Sequence, residues 1–307
     1  MNFLRKRLMV LLLIFQCSML FAQQGTVDTS KSIHSEILNR DMPYSIYFPP
    51  GYEASDRPYP VLYLLHGMTG NYLDWSTKGE TRSIADAVIN DGAAPEMIIV
   101  MPDGLFDAFY INNYDKSIRW EDFFYEEFIP HIEKEYPILA NRNNRAIAGL
   151  SMGGYGALYH GIKHKDMFNS VYAMSAAVIE REPLKKGEEL NEFDKQFALK
   201  TWGPINDEGY PENFKAHSIQ EMFKAMDPYK APSFGFMQGP AQTPLPSIYL
   251  DCGDDDFLIE QNTNLLHIMK GKGYPLEFRV RNGGHTWEYW RTALPIAMEF
   301  VGDKFRN

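Results

Sequence analysis

Ser151 stands in Gly149-Leu150-Ser151-Met152-Gly153, after the small apolar run Ala146-Ile147-Ala148 and before a helix-like segment, Tyr155 to His164. That is the strand, sharp turn and helix of a nucleophile elbow, in which the turn lifts a hydroxyl to the top of a sheet and the glycines let strand and helix pass closely. The bare pattern arises by chance in roughly one chain in ten of this length, so its partners must carry the reading. A serine nucleophile needs a base, and His285 sits in a glycine-rich loop, Asn282-Gly283-Gly284-His285, where an exposed tip can meet it. It also needs an acid behind the base. Asp254, Asp255 and Asp256 follow the apolar run Ser247 to Cys252, and spacing alone leaves all three open. The alternating acids of a calcium loop are missing there.

Developing negative charge on a carbonyl oxygen calls for backbone donors. One is expected just past Val61-Leu62-Tyr63-Leu64-Leu65, at the Met68 amide, and the other directly after the serine, at the Met152 amide. The His66 imidazole is expected to pack beneath the site. Phe106, Phe109 and Tyr110, in an aromatic loop after a strand, and Trp287, beside His285, are candidate stacking surfaces for a sugar or phenolic ring. Trp75 fits a place in the site or in the core equally well. His160 and His164 lie four apart, but no glutamate stands between them and no third ligand is evident, so no metal is expected.

These groups need a scaffold, and the pattern is that of an α/β fold. Strands are expected in pairs around Asn39-Arg40-Asp41 within 32–49, then at Val61–Leu65, Met97–Met101, 146–150, Ser170–Ala176, Ser247–Cys252 and Leu276–Val280. Helices fall between them: Ile84–Ile89, Trp120–Tyr136, the segment after Ser151, Ile259–Lys270 and a final amphipathic helix after His285. In Trp120–Tyr136, Phe124, Phe128 and Ile132 form an apolar stripe, and its glutamates and His131 are expected in solvent. Residues 180–245 break the rhythm, with Trp202, Phe214, Phe223, Phe234 and Phe236 scattered through them, and fit a cap-like insertion over the mouth.

Arg5-Lys6-Arg7, the apolar Leu8–Phe15 and Leu20-Phe21-Ala22 have the layout of a secretory signal peptide cut after Ala22, too short for a good membrane span. Cys17 follows Gln16 rather than a small residue, which disfavours a lipid anchor. Residues 23–307 then form one α/β domain with the insertion. Removing three positive charges and no acid takes the net charge from -10 to -13, which disfavours nucleic acid and anionic membranes as partners. Only Cys252 would remain, so no internal disulfide is possible, as suits a bacterial periplasm or cell exterior.

Taken together, Leu64-Leu65-His66-Gly67, Gly149 to Gly154, Asp251 to Asp256 and Gly283-Gly284-His285-Thr286-Trp287 resemble the esterase D family of α/β hydrolases, over about residues 35 to 305. Within it they resemble the carbohydrate esterases that include feruloyl and acetylxylan esterases. The resemblance implies the α/β-hydrolase fold, a mostly parallel central sheet flanked by helices, and places the catalytic acid three residues after the glycine, at Asp256. It also implies a two-step acyl transfer without metal or organic cofactor, on a small-molecule or oligosaccharide ester: His285 deprotonates Ser151, the Met68 and Met152 amides hold the oxyanion, and Asp256 orients the imidazolium. S-formylglutathione hydrolases share these motifs but work in the cytosol. An acyltransferase would use the same residues, and a non-catalytic carbohydrate binder would have no need of the triad.

Overall fold

The computed structural model describes residues 24–306 apart from 107, 186, 193 and 230–243. Residues 1–22, expected as a signal peptide, and Phe234 and Phe236 therefore lie outside the described residues. Eight strands form one sheet: β1 (Thr26–Ser35), β2 (Arg40–Phe48), β3 (Val61–Leu65), β4 (Ile98–Pro102), β5 (Arg145–Leu150), β6 (Ser170–Met174), β7 (Ser247–Gly253) and β8 (Glu277–Arg281). Their spatial order is β1-β2-β4-β3-β5-β6-β7-β8, with β2 antiparallel to both of its neighbours, β1 and β4, and every other pair parallel. The first strand begins at Thr26 rather than near residue 32, because a register shift between Asp28 and Lys31 lets a polar edge strand continue pairing with β2.

The middle strands are buried along their whole length, as parallel strands covered on both faces must be. Alternation along β3 divides the core. Tyr63 and Leu65 point into one cluster and Leu62 and Leu64 into the other. On the face of Leu62 lie helices α1 (Thr81–Asn90) and, at the chain's end, the long helix Trp287–Phe305, through Ala85, Val88, Ala293, Leu294 and Val301. On the face of Tyr63 lie α2 (residues 120–135, with a π-helical middle, Phe123–Phe128), α3 (Met152–Lys163), α4 (Ile219–Ala225) and α5 (Ile259–Gly271). The C-terminal helix is α6.

One expectation, a solvated face on α2, differs from the structure. Glu121, in α2, is not in solvent: it is 5% exposed and bonded to Lys163, His164 and the Tyr159 hydroxyl. The stripe at Phe124, Phe128 and Ile132 is buried as expected, while Glu121, in the first turn ahead of the π-helical middle, meets α3 through Lys163. In the described part of 180–245, Trp202, Phe214 and Phe223 are buried. Trp202 meets Phe109 in the loop after β4, Phe214 packs on Trp202 and Phe223 on Tyr274, while the Tyr155 hydroxyl of α3 donates to the His217 carbonyl at 2.8 Å. Among the described residues no helix is long and apolar enough to cross a membrane.

Candidate active site

Each candidate group leaves the carboxyl end of a parallel strand, the end at which open α/β sheets gather ligands. Ser151 follows β5, the strand between β3 and β6, and has φ 54° and ψ −117°, a backbone region that L residues rarely adopt. Its amide donates to Met174 O, and its own carbonyl accepts from the Tyr155 and Ala177 amides, so the turn is held on both sides. The flanking glycines are sterically required: a side chain at Gly149 would collide with the backbone of Gly153, and one at Gly153 with the Leu65 carbonyl. Helix α3 starts at Met152, directly after the serine.

His285 Nε2 lies 2.9 Å from Ser151 Oγ, and its Nδ1 lies 2.9 Å from Asp256 Oδ2. Asp256 is the acid brought to the imidazole; its residue is 2% exposed. Burial pushes its carboxyl up, but hydrogen bonds from His285, the Leu258 amide and Ser175 outweigh that and hold it below the usual value, so it is ionised. Asp254 accepts from the Gly283 amide at 2.9 Å, and the Asp255 amide donates to Gly283 O, so these neighbours tie the acid loop to the histidine loop. A side chain at Gly253 would strike Gly283 O, which explains the glycine there. Thr286 then caps α6 through the Tyr289 amide and fixes where the chain turns after His285.

The turn after β3 lies against the serine: a Cβ on Gly67 would come 3.5 Å from Ser151 Cβ. His66 shapes this turn. Its Nδ1–H donates to Gly67 O at 2.7 Å and its Nε2 accepts from the Gly104 amide at 2.8 Å, while burial lowers its pKa, so the ring is neutral. Thus His66 packs beneath the site, as expected. Among the described residues the Met68 and Met152 amides make no hydrogen bond, so both are free to donate. Trp75 belongs to the core, 1% exposed, its indole N–H on Leu65 O and its ring edge-on to Trp287.

Phe109 and Tyr110, expected as stacking surfaces, offer no stacking face. They are 1% and 0% exposed; Phe109 packs on Tyr155 and Trp202, and the Tyr110 hydroxyl donates to His66 O at 2.7 Å, buttressing the turn from below. Phe106 is 56% exposed, and its carbonyl accepts from the Thr69 amide beside the turn. Trp287 is half-buried, held edge-on between Trp75 and Trp290. Two residues had no signal in the sequence pattern. Ser175, fully buried after β6, accepts the Trp290 indole N–H at 3.1 Å and reaches Asp256; Phe257 packs its ring on His285 with centroids 4.6 Å apart.

His160 and His164 do acquire a third neighbour, since Glu121 brings its carboxylate within 4.8 Å of them. Both nitrogens of His160 are taken, however, one by Tyr110 O and the other by the Tyr125 hydroxyl, and Lys163 occupies Glu121. Burial holds His160 down at about 3, hence neutral. The cluster is a polar clamp between α2 and α3.

A hydroxyl, an imidazole and a carboxylate in line, beside two free amides, is an arrangement suited to acyl transfer. The Esterase family model matches residues 35–301. The chain belongs to this esterase family. The esterase is 27% identical over 243 residues to the acetyl esterase of Caldicellulosiruptor saccharolyticus, across 78% of this chain and 82% of that one. It is 32% identical over 157 residues to the endo-1,4-beta-xylanase/feruloyl esterase of Xylanibacter ruminicola, across 49% of this chain and 22% of the relative. A solved ferulic acid esterase is similar at TM-score 0.71 and 33% identity, covering 92% of this esterase and 99% of that chain. An S-formylglutathione hydrolase from Agrobacterium tumefaciens, at 19% identity and TM-score 0.69 over 93% and 96% of the chains, shares the fold. The esterase is therefore a carboxylic-ester hydrolase of the α/β-hydrolase fold, and the resemblance to esterase D proteins holds.

Proposed function

We propose that this esterase hydrolyses acyl esters of carbohydrate, feruloyl or acetyl, by a Ser151-His285-Asp256 triad. The observation that carries the reading is the continuous hydrogen-bonded line from Asp256 through His285 to Ser151, both links at 2.9 Å, on a serine at an elbow. In the first step His285 Nε2 takes the Ser151 proton while Oγ attacks the ester carbonyl, and the tetrahedral oxyanion accepts from the Met68 and Met152 amides. The imidazolium, stabilised by ionised Asp256, then protonates the leaving alcohol, and an acyl-serine remains. Water, deprotonated by His285, attacks the acyl-serine, and as the acyl–Oγ bond breaks the imidazolium returns that proton to Ser151 Oγ, releasing the acid and the free serine. No step asks for a metal or organic cofactor.

The substrate class is supported by the relatives, an acetyl esterase and a ferulic acid esterase that the chain matches along most of its length. Export is supported by the layout of residues 1–22, and brings the enzyme to where polysaccharide fragments are met. The negative charge disfavours polyanionic substrates. The deciding experiment compares kcat/KM of the mature protein on methyl ferulate, acetylated xylan, tributyrin and S-formylglutathione. The expected result is preference for one of the first two. Preference for the glutathione thioester or for the lipid ester would reject carbohydrate esters as the substrate class.

A further inference from the structure

Phe257 is an aromatic residue with 73% of its surface in solvent, set between Asp256, 2% exposed, and Leu258, 7% exposed. Its neighbours are fixed: Asp256 binds His285, and the Leu258 amide donates to Asp256 Oδ1 at 2.9 Å. The backbone is thus pinned on both sides of the ring. Single exposed apolar residues are common on protein surfaces and by themselves mean nothing. This one is singled out by where it lies, because its ring contact is with His285, at 4.6 Å between centroids and 49° between planes.

The chemistry says what passes there. In acyl transfer the leaving oxygen must come within about 3 Å of the nitrogen that protonates it, His285 Nε2, so the alcohol half of the ester leaves beside that imidazole, on which the Phe257 and Trp290 rings pack. Three aromatic rings cluster there, and two are already engaged. Trp290 is 6% exposed with its indole N–H on Ser175, and Trp287 is held edge-on by Trp75 and Trp290. Phe257 has an open face. The other exposed aromatic near the site, Phe106, follows β4, on the β3 side of β5, while Phe257 follows β7, on the β6 side. Four strand spacings of ~4.8 Å separate β4 from β7, so the two rings mark opposite flanks of the serine.

We infer that Phe257 is the stacking platform for the alcohol half of the substrate, a sugar ring, and so sets preference for carbohydrate over simple alcohol esters. The inference rests on the carbohydrate-ester reading above and adds to it the residue that recognises the sugar. A flat ring with only two side-chain torsions, on a pinned backbone, loses little freedom when a sugar's C–H face settles on it. A methyl alcohol is too small to reach across it.

The test compares wild type, Phe257→Ala and Phe257→Trp on two esters of one acid, methyl ferulate and feruloylated arabinoxylan oligosaccharide, or the acetyl pair if acetyl is preferred. The quantity read is the ratio of kcat/KM for the sugar ester to that for the simple ester, in which any disturbance of His285 common to both cancels. Phe257→Ala should lower that ratio roughly three- to tenfold, mainly through KM, and Phe257→Trp should restore it. A ratio unmoved in Phe257→Ala, whether both rates fall together or neither falls, overturns the platform and leaves the carbohydrate-ester reading intact. A wild-type enzyme that ignores the sugar ester but cleaves lipid or thioesters overturns both.

Discussion

At the scale of single residues, Ser151 and Asp256 separate chemistry from packing. Ser151→Ala keeps the backbone of the turn and removes one hydroxyl, so turnover on an aryl ester should fall at least about a thousandfold while the circular dichroism spectrum and melting temperature stay near wild type. Turnover close to normal in a folded variant would remove the serine from the mechanism. Asp256→Asn should cost turnover by about a thousandfold or more, because the amide sets the wrong imidazole tautomer and gives the imidazolium no counter-charge. Asp254→Asn should cost far less, since Asp254 only accepts from the Gly283 amide, and Asp255→Asn less again; a reversal of that order would move the acid by one or two positions. These three acids also show what sequence carries. Spacing shows their cluster but cannot say which carboxylate turns inward, so the choice of Asp256 rests on the family resemblance and not on the residues themselves. Phe109 and Tyr110 were misread for a related reason: an aromatic-rich loop after a strand is equally the recipe for a pocket wall and for a packed floor, and the Tyr110 hydroxyl on His66 O makes it the floor.

At the scale of elements, the clamp between α2 and α3 contributes to acid sensitivity. Burial holds folded His160 at about 3, against 6.5 in the open chain, so between those values the unfolded chain binds a proton that the folded one refuses. Stability must then drop as pH falls through this window, by at most about 1.4 kcal/mol per pH unit for one such proton. Glu121 adds to the loss lower down: burial pushes it up, but His164, His160 and Lys163 bring it to about 2 from 4.5, so its contribution is whole above 4.5 and disappears toward 2. Melting temperatures of His160→Gln, which can still bond Tyr110 O and Tyr125, should fall less steeply between pH 6.5 and 3 than those of wild type. Parallel slopes would mean that His160 titrates normally. The α2 helix itself was readable from Phe124, Phe128 and Ile132. Its buried acid was not, because Glu121 meets Lys163 and His164 from 42 and 43 residues away in the chain, and no local period encodes that partnership.

At the scale of the whole molecule, the strands could be read one by one from their apolar runs, but their order could not. That β3 and β6 flank β5, and that β8 lies at an edge, follows from which crossovers pack, a property of pairs of elements. The edge strand is anchored by Arg281, which binds both oxygens of Asp251, a fully buried carboxylate also bonded by Tyr172 and Tyr289. Arg281→Met leaves that charge without its cation and should destabilise the protein by about 3 kcal/mol in urea unfolding. Because His285 follows β8 by four residues, activity should fade at lower temperature in the same variant; an unchanged urea midpoint would show that the two tyrosines suffice. The left-handed backbone at Ser151 has a further consequence, for how such a sequence can drift. Glycine accepts that conformation freely, so Ser151→Gly should melt higher than Ser151→Ala, the difference measuring a conformational cost on the order of 1 kcal/mol. Thermal endurance alone would therefore favour glycine at this position, so the proposed nucleophile is held in the turn at a cost in stability.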